Sequence, residues 1–284
     1  MDRVSIAAVQ RKKLCGERIS VLTVYDYPFA RLADQAGIDC LLVSDVLGQV
    51  GLGYESTVPV TLEEMVHHTK AVIRGVDRAL VLSKMPFLSS AGDFPKVLSA
   101  AEQLIKVAGA KGLEVEGGAE IVPVVRSLVR SGVPVMPHIG ATAQEFMRSG
   151  AFKKRAGEAS EAAALLDLAR ELEQAGCFAV MLECVPAEVA ERMSAMLRIP
   201  VIGIGAGSRC DGQILVSQDL LGLFDRFVPK FVKVYRRLGD EVLEGFREFR
   251  REVEEGAFPA AENAYAMDPQ QLEALERLLE ESGS

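Results

Sequence analysis

The chain has 284 residues, 49% of them hydrophobic, and a formal charge of −8 at pH 7. That apolar content excludes a disordered chain and is enough for one large core or two small ones. The negative balance leaves no overall basic field for nucleic acid or an anionic membrane, so a small molecule or a protein is the expected partner.

The first residues, MDRVSIAAVQRKKL, lack the apolar core of a signal peptide, and no later run reaches the roughly 18 apolar residues of a membrane span. A soluble, cytoplasmic protein is expected. Strands are predicted at 19–25, 40–45, 79–84, 112–116, 134–139, 178–183 and 200–205, with an eighth near 227–234. Helical spacing of apolar positions marks 61–75, 94–108, 119–131, 159–175 and 186–196 between them. Runs such as CLLVS and AVML are apolar throughout, as in a parallel sheet covered by helices. Seven or eight such units predict a (β/α)8 TIM barrel over an open doubly wound sheet, although the count alone does not separate them. The expected organisation is one barrel domain over 1–265 and a helical extension over 266–284, beginning near Pro269. Cys15, Cys40, Cys177, Cys184 and Cys210 are odd in number and widely spaced with no CxxC pair, so free thiols are expected.

In a parallel barrel the chemistry gathers at the C-terminal strand ends. Here those ends carry Asp26, Asp45, Lys84, Glu114 with Glu116, His138 and Glu183. Any one of them alone reads as a helix cap or a solvated rim charge; agreement across six strands reads as a site. Glu114 and Glu116 are two apart, with Leu113 and Val115 apolar, so both carboxylates should face the barrel mouth. Converging carboxylates suit a divalent cation such as Mg²⁺. The stretch GIGAGSRCDGQ, 203–213, either cradles a phosphate or only turns tightly. His67 and His68 lie on one helix about 100° apart, so at most one faces a ligand.

Longer stretches carry a resemblance: TVYDYPFARLADQAG (23–37), LLVSDVLG (41–48), GYESTVPVTLEEMVHHTKAVIRG (53–75), VEGG (115–118), GVPVMPHIG (132–140), LECVP (182–186) and IPVIGIGAGSRCDGQILVSQDLLG (199–222). Together they resemble the ketopantoate hydroxymethyltransferase family over about residues 3–265. The resemblance implies a (β/α)8 barrel assembled as a homo-oligomer, commonly a decamer. It implies transfer of a hydroxymethyl group from 5,10-methylenetetrahydrofolate to the enolate of 2-oxoisovalerate, with Mg²⁺ chelated by the 2-oxo acid. It further implies Asp45 and Glu116 at the metal, Glu183 as general base, and Asp45, His138, Ser56 and Thr57 around the substrate.

The chain departs from the family at the same mouth. LSKMPF places Lys84 where the family usually has Asp, and LEVEGG places Glu114 where it usually has Lys. A lone buried lysine is costly, so a compensating Lys84–Glu114 ion pair is expected, with no catalytic part as one reading. SDV at 44–46 stands for the family's GDS, so Val46 replaces the family's substrate-bonding serine and Ser44, now the triplet's hydroxyl, is the substrate-binding candidate there; GATAQ (140–144) and MRSGAFKKRAGE (147–158) also differ. On a sharper reading Lys84 and Glu114 are catalytic, the Lys84 ammonium standing where Mg²⁺ would and acting as the electrophile. A lysine and Mg²⁺ about 4 Å apart at an effective dielectric near 20 would repel by roughly 8 kcal/mol. A Schiff base on Lys84 is a further alternative. Three functions therefore remain open: the family reaction, metal-independent enolate or aldol chemistry on another 2-oxo acid, and a non-catalytic barrel.

Overall fold

The computed structural model describes residues 3–142 and 155–282. The chain divides into two compact units, Met1–Tyr235 and Arg236–Ser284.

The first unit is a closed barrel of eight parallel strands in sequence order: β1 Ile19–Thr23, β2 Cys40–Val43, β3 Leu80–Lys84, β4 Leu113–Glu116, β5 Val135–Gly140, β6 Val180–Glu183, β7 Val201–Ile204 and β8 Gly212–Val216. The barrel closes where β1 pairs in parallel with β8. Seven strands lie within two residues of their predicted bounds. The eighth does not. The apolar stretch at 227–234 contains Pro229, which removes a ladder donor, and folds into a turn in which Val232 N–H donates to Pro229 O. The strand is instead GQILV, at the end of the glycine-rich stretch. Only seven residues separate β7 from β8, and no helix lies among them. That favours tight turning over a phosphate cradle. Gly205 takes φ +62, and a Cβ there would stand 2.7 Å from the Phe231 ring.

Two periodicities sort the strand residues. Inward positions, among them Ile19, Val21, Leu42, Leu80, Leu82, Met136, Met181 and Ile202, form one buried cluster within the barrel. Outward positions, such as Leu41, Val81, Val115, Val135, Leu182 and Val201, join the helices in a second layer. Both faces of β2, β3, β4 and β7 are buried, which is why runs like CLLV lack polar alternation, whereas the outward faces of β1 and β8 are only partly covered. The helices of this layer include α2 Tyr27–Gln35, α4 Leu62–Arg74, α5 Phe94–Glu102, α6 Val122–Arg130, α7 Ala159–Gln174 and α8 Ala187–Met196, with one-turn α3 Leu47–Val50 after β2. The π-helical turn Gln103–Val107 extends α5. Helix α4 begins at Thr61, whose hydroxyl accepts from Glu64 N–H while the Glu64 carboxylate accepts from Thr61 N–H. Helix α1, Ile6–Leu14, belongs to the floor: Val9 is buried in the interior cluster, and Lys12 and Lys13 pair with Asp39 and Asp211.

The second unit contains helix α10, Leu238–Glu255, and helix α11, Pro269–Ser282, the helix expected from Pro269. α10 stops at Gly256, which takes φ +70 and returns its N–H to the last turn. In the first unit, the one-turn helix α9, Ser217–Leu220, follows β8 directly. All five cysteines are free.

Candidate active site

Each inward column of the barrel changes character near the mouth. On β3 it reads Leu80, Leu82, Lys84; on β5, Met136, His138; on β6, Met181, Glu183. Apolar residues fill the lower layers, and ionisable ones crown them. On β4 both Glu114 and Glu116 face inward and are buried, with Leu113 and Val115 in the outer layer, as the spacing predicts. Glu114 is the deeper and has no exposure. Gly112 leaves room below: a Cβ there would meet Leu82 at 3.0 Å and the Pro134 carbonyl at 3.1 Å.

Asp45, Lys84, Glu114, Glu116, His138 and Glu183 come together. The Lys84 ammonium lies 2.8 Å from Asp45 Oδ1 and in contact with Glu116 Oε2. His138 Nδ1 lies 3.0 Å from Glu114 Oε1, and Nε2 lies 2.9 Å from Glu183 Oε2. The second contact has the distance of an ion pair but not the alignment of a hydrogen bond. Ser44, also buried, donates weakly to Asp45 Oδ1 at 3.4 Å. Ser56 and Thr57 stand half-buried between α3 and α4, with no side-chain hydrogen bond to the cluster among the described residues. Asp26 falls outside it: it caps α2, its carboxylate accepting from Phe29 N–H at 2.8 Å. His68 Nδ1 lies 2.7 Å from the Tyr25 carbonyl, while His67 is exposed. Residues 143–154, which carry most of the two divergent stretches after β5, lie outside the described residues.

The expected Lys84–Glu114 ion pair is not what forms. The two residues are register partners across β3 and β4, yet their side chains part company. Lys84 turns to Asp45 and Glu116, and Glu114 turns to His138. The reason lies in what each would otherwise leave behind: without Lys84, Asp45 and Glu116 would be two buried carboxylates with no cation between them.

Electrostatics follow from this packing. Burial opposes the charge on Lys84, but Asp45, Glu116 and Glu114 outweigh it and hold the ammonium well above the ordinary lysine value. An amine so held is unsuited to Schiff-base chemistry, which needs the neutral form. Burial likewise opposes the charge on His138, but Glu114 and Glu183 lift it to about 10, making it an imidazolium at neutral pH. Burial, only partly offset by Lys84, pushes Asp45 up to about 6.

Sequence reasoning passed over two neighbours. The Tyr25 hydroxyl, just beyond β1, is buried near Thr23 without hydrogen-bond geometry, and feels the charges of Asp45, Asp219 and Glu114. Asp219, in α9 after β8, has an unpartnered Oδ1, and burial pushes it up to about 6. Their signal was present: YDYP follows β1 as polar residues follow the other strands. A cavity of about 1210 Å³ lies elsewhere, beside β1 and β8. It is bordered by Arg18 and Lys230 but by no carboxylate. A smaller cavity lies where Asp45, Lys84 and Glu116 meet Met85, Pro86, Phe87 and Ser90.

Glu114, Glu116 and His138 offer ligand atoms within 4.8 Å of one another and by donor type could hold a metal ion. As arranged, they do not fit one. Both ring nitrogens of His138 are turned to carboxylates, Nδ1 to Glu114 and Nε2 to Glu183, so neither is turned to a position shared with Glu116 and open to a metal. Glu116 and Asp45 are both engaged by an ammonium. A cation within coordinating distance of either would press against Lys84.

Comparisons with known proteins agree with this placement of the fold. Proteins called 3-methyl-2-oxobutanoate hydroxymethyltransferase from Moorella thermoacetica and Carboxydothermus hydrogenoformans are 49% and 45% identical. The first alignment covers 93% of this chain and 98% of the relative, the second 97% and 100%. Among solved structures, a phosphoenolpyruvate phosphomutase from Streptomyces platensis subsp. rosaceus is similar with a TM-score of 0.61, at 14% identity over 98% of both chains. A phosphonopyruvate hydrolase complexed with oxalate and Mg²⁺ has a TM-score of 0.59, at 13% identity over 96% of each. These two share the barrel. The family model for ketopantoate hydroxymethyltransferase matches residues 3–261, and the chain, an enzyme of the transferase class, belongs to that family.

Proposed function

We propose that the protein transfers a hydroxymethyl group to the enolate of 2-oxoisovalerate, giving ketopantoate, with 5,10-methylenetetrahydrofolate as donor. The observation that carries the reading is the convergence of Glu183, His138, Lys84, Asp45, Glu114 and Glu116 at one strand-end mouth. Removing a proton next to a carbonyl needs a positioned base, and charged groups fixed beforehand where negative charge develops. Glu183 is the base. Its carboxylate is the most accessible of the cluster, at 20% exposure, and the flanking backbone is specialised to present it. Cys184 takes φ +52, a strained position for a side-chain residue. Gly140 takes φ +108, where a Cβ would stand 2.3 Å from the Glu183 carbonyl.

In this scheme the C3–H bond breaks and its proton passes to Glu183. Water releases the one-carbon unit from the folate as formaldehyde, its two protons going to the two folate nitrogens; the enolate carbon then bonds to the formaldehyde carbon, and the alkoxide so formed takes back the proton from Glu183 to become the hydroxyl. His138, held by Glu114, orients Glu183. Ser44, Ser56 and Thr57 line the approach for the 2-oxo acid. The second unit's stripe of Val242, Phe246, Phe249 and Val253 on α10 suits a homo-oligomer, whose subunit number light scattering would give. No described helix is long and apolar enough to cross a membrane.

The test is direct. Protein incubated with 2-oxoisovalerate and 5,10-methylenetetrahydrofolate should yield ketopantoate by mass spectrometry, and a panel of 2-oxo acids should rank the branched C5 acid first. A second reading, the same chemistry on another 2-oxo acid, is favoured by Val46 and Lys84 at the mouth. A different acid leading the panel would establish it.

A further inference from the structure

We propose that the Lys84 ammonium does in this site what a divalent cation would otherwise do: it fills the point on which Asp45 and Glu116 converge and donates to the substrate's keto oxygen as charge develops there. The inference rests on the enolate reading above. An ammonium has three N–H donors. Two are committed, to Asp45 Oδ1 at 2.8 Å and to Glu116 Oε2. The third is available to the small cavity that Lys84 lines together with Met85, Pro86, Phe87 and Ser90, where a fixed donor meets developing charge without reorganising.

Three observations distinguish this from an ion triad kept for stability alone. Lys84 ends β3 at the same level as Glu114 on β4, yet passes over that register partner to reach the two carboxylates nearer the mouth. Asp45 Oδ2 has no hydrogen-bond partner, so the cluster is incomplete on the side away from Lys84. The remaining metal-type donor, His138, is clasped between Glu114 and Glu183, which denies a cation the neighbouring position as well. The positive charge at this mouth is therefore supplied by side chains.

The balance of the step is simple. The C3–H electron pair moves into the new C2–C3 double bond, the keto C=O becomes C–O⁻, and the proton stays on Glu183. Lys84 donates a hydrogen bond to that oxygen and keeps its own proton.

The test uses the full chain, stripped of metal with EDTA and dialysed. Electron paramagnetic resonance of added Mn²⁺ should show the ion remaining free in the wild type, with and without 2-oxoisovalerate. One Mn²⁺ bound per chain with Kd below about 0.1 mM would overturn the proposal. In heavy water, loss of the C3 proton signal of 2-oxoisovalerate should run at the same rate in EDTA as in Mg²⁺. A rate falling more than about tenfold in EDTA would overturn it while leaving the enolate reading intact. No exchange under either condition would overturn both. Lys84→Asp, folded by circular dichroism, should gain one bound Mn²⁺; a folded variant that binds none would show that the ammonium is not what excludes the cation. The wild-type measurements decide the matter even if that variant fails to fold.

Discussion

The two ends of the barrel both bury charge, and they treat it differently. At the floor, Asp39 accepts from Ser20 N–H, from the Ser20 hydroxyl and from Lys12. Asp211 accepts from Lys13, from the Ser194 hydroxyl and from Val201 N–H. Asp34 receives the N–H groups of Asp77, Arg78 and Ala79. Every one of these carboxylates is answered, and the orphan there among the described residues, Arg78 Nε, sits on a guanidinium one of whose other two nitrogens donates to Ile38 O. At the mouth, Tyr25 Oη, Asp45 Oδ2, Glu114 Oε2 and Asp219 Oδ1 are all buried without a partner. Leaving such atoms unpaired costs about 1–3 kcal/mol each. Charge that holds a fold together is satisfied within the fold, whereas charge that awaits a ligand is not.

Substitutions at the two ends should separate these roles. The largest effect is expected from Glu183→Gln, which should lower turnover by about 10²–10⁴-fold with thermal stability unchanged, as loss of a general base does. Lys84→Met should be the most damaging to stability. It leaves Asp45 and Glu116 buried together without their cation, a loss of about 3–5 kcal/mol, read by chemical denaturation. Asp39→Asn, at the floor, should cost about 2 kcal/mol and leave substrate affinity untouched. Lys12 and Ser20 depress the Asp39 carboxyl despite its burial, so its contribution is present above the unfolded value of about 3.9 and disappears as pH falls through the lower folded value. The stability gap between wild type and Asp39→Asn should accordingly close in acid. A smaller effect is expected on ligand affinity. Burial holds Asp45 near 6, so an anionic 2-oxo acid should bind more tightly at pH 6 than at pH 8, as calorimetry would measure. Least of all, Tyr25→Phe should leave stability unchanged or slightly raised, because its hydroxyl has no partner to lose. A large destabilisation by Tyr25→Phe would make the mouth resemble the floor and break the contrast.

Much of this was legible in the sequence, for stated reasons. Apolar strand runs and helical spacing gave seven strands, because residues buried on both faces carry no polar alternation. The two-residue spacing of Glu114 and Glu116 fixed their common face through the pleat. The eighth strand was missed because GQILV hides behind glycines that read as a loop, while FVPKFVKV has strand-like composition broken by Pro229. The partner of Lys84 was also beyond reach. Register predicts that Lys84 faces Glu114, and it does at the backbone, but a lysine's reach lets the side chain choose the pair of carboxylates that most needs a cation. Tyr25 and Asp219 went unnoticed because an orphaned hydroxyl or carboxylate is a property of packing, not of residue type.

The central claim is that this mouth generates an enolate with Glu183 as base, and proton exchange at C3 of 2-oxoisovalerate in heavy water isolates that step from folate. The account predicts loss of the C3 proton signal with wild-type protein and its persistence with Glu183→Gln. A folded wild type that leaves the signal intact, or a Glu183→Gln variant that exchanges as fast as the wild type, would contradict it.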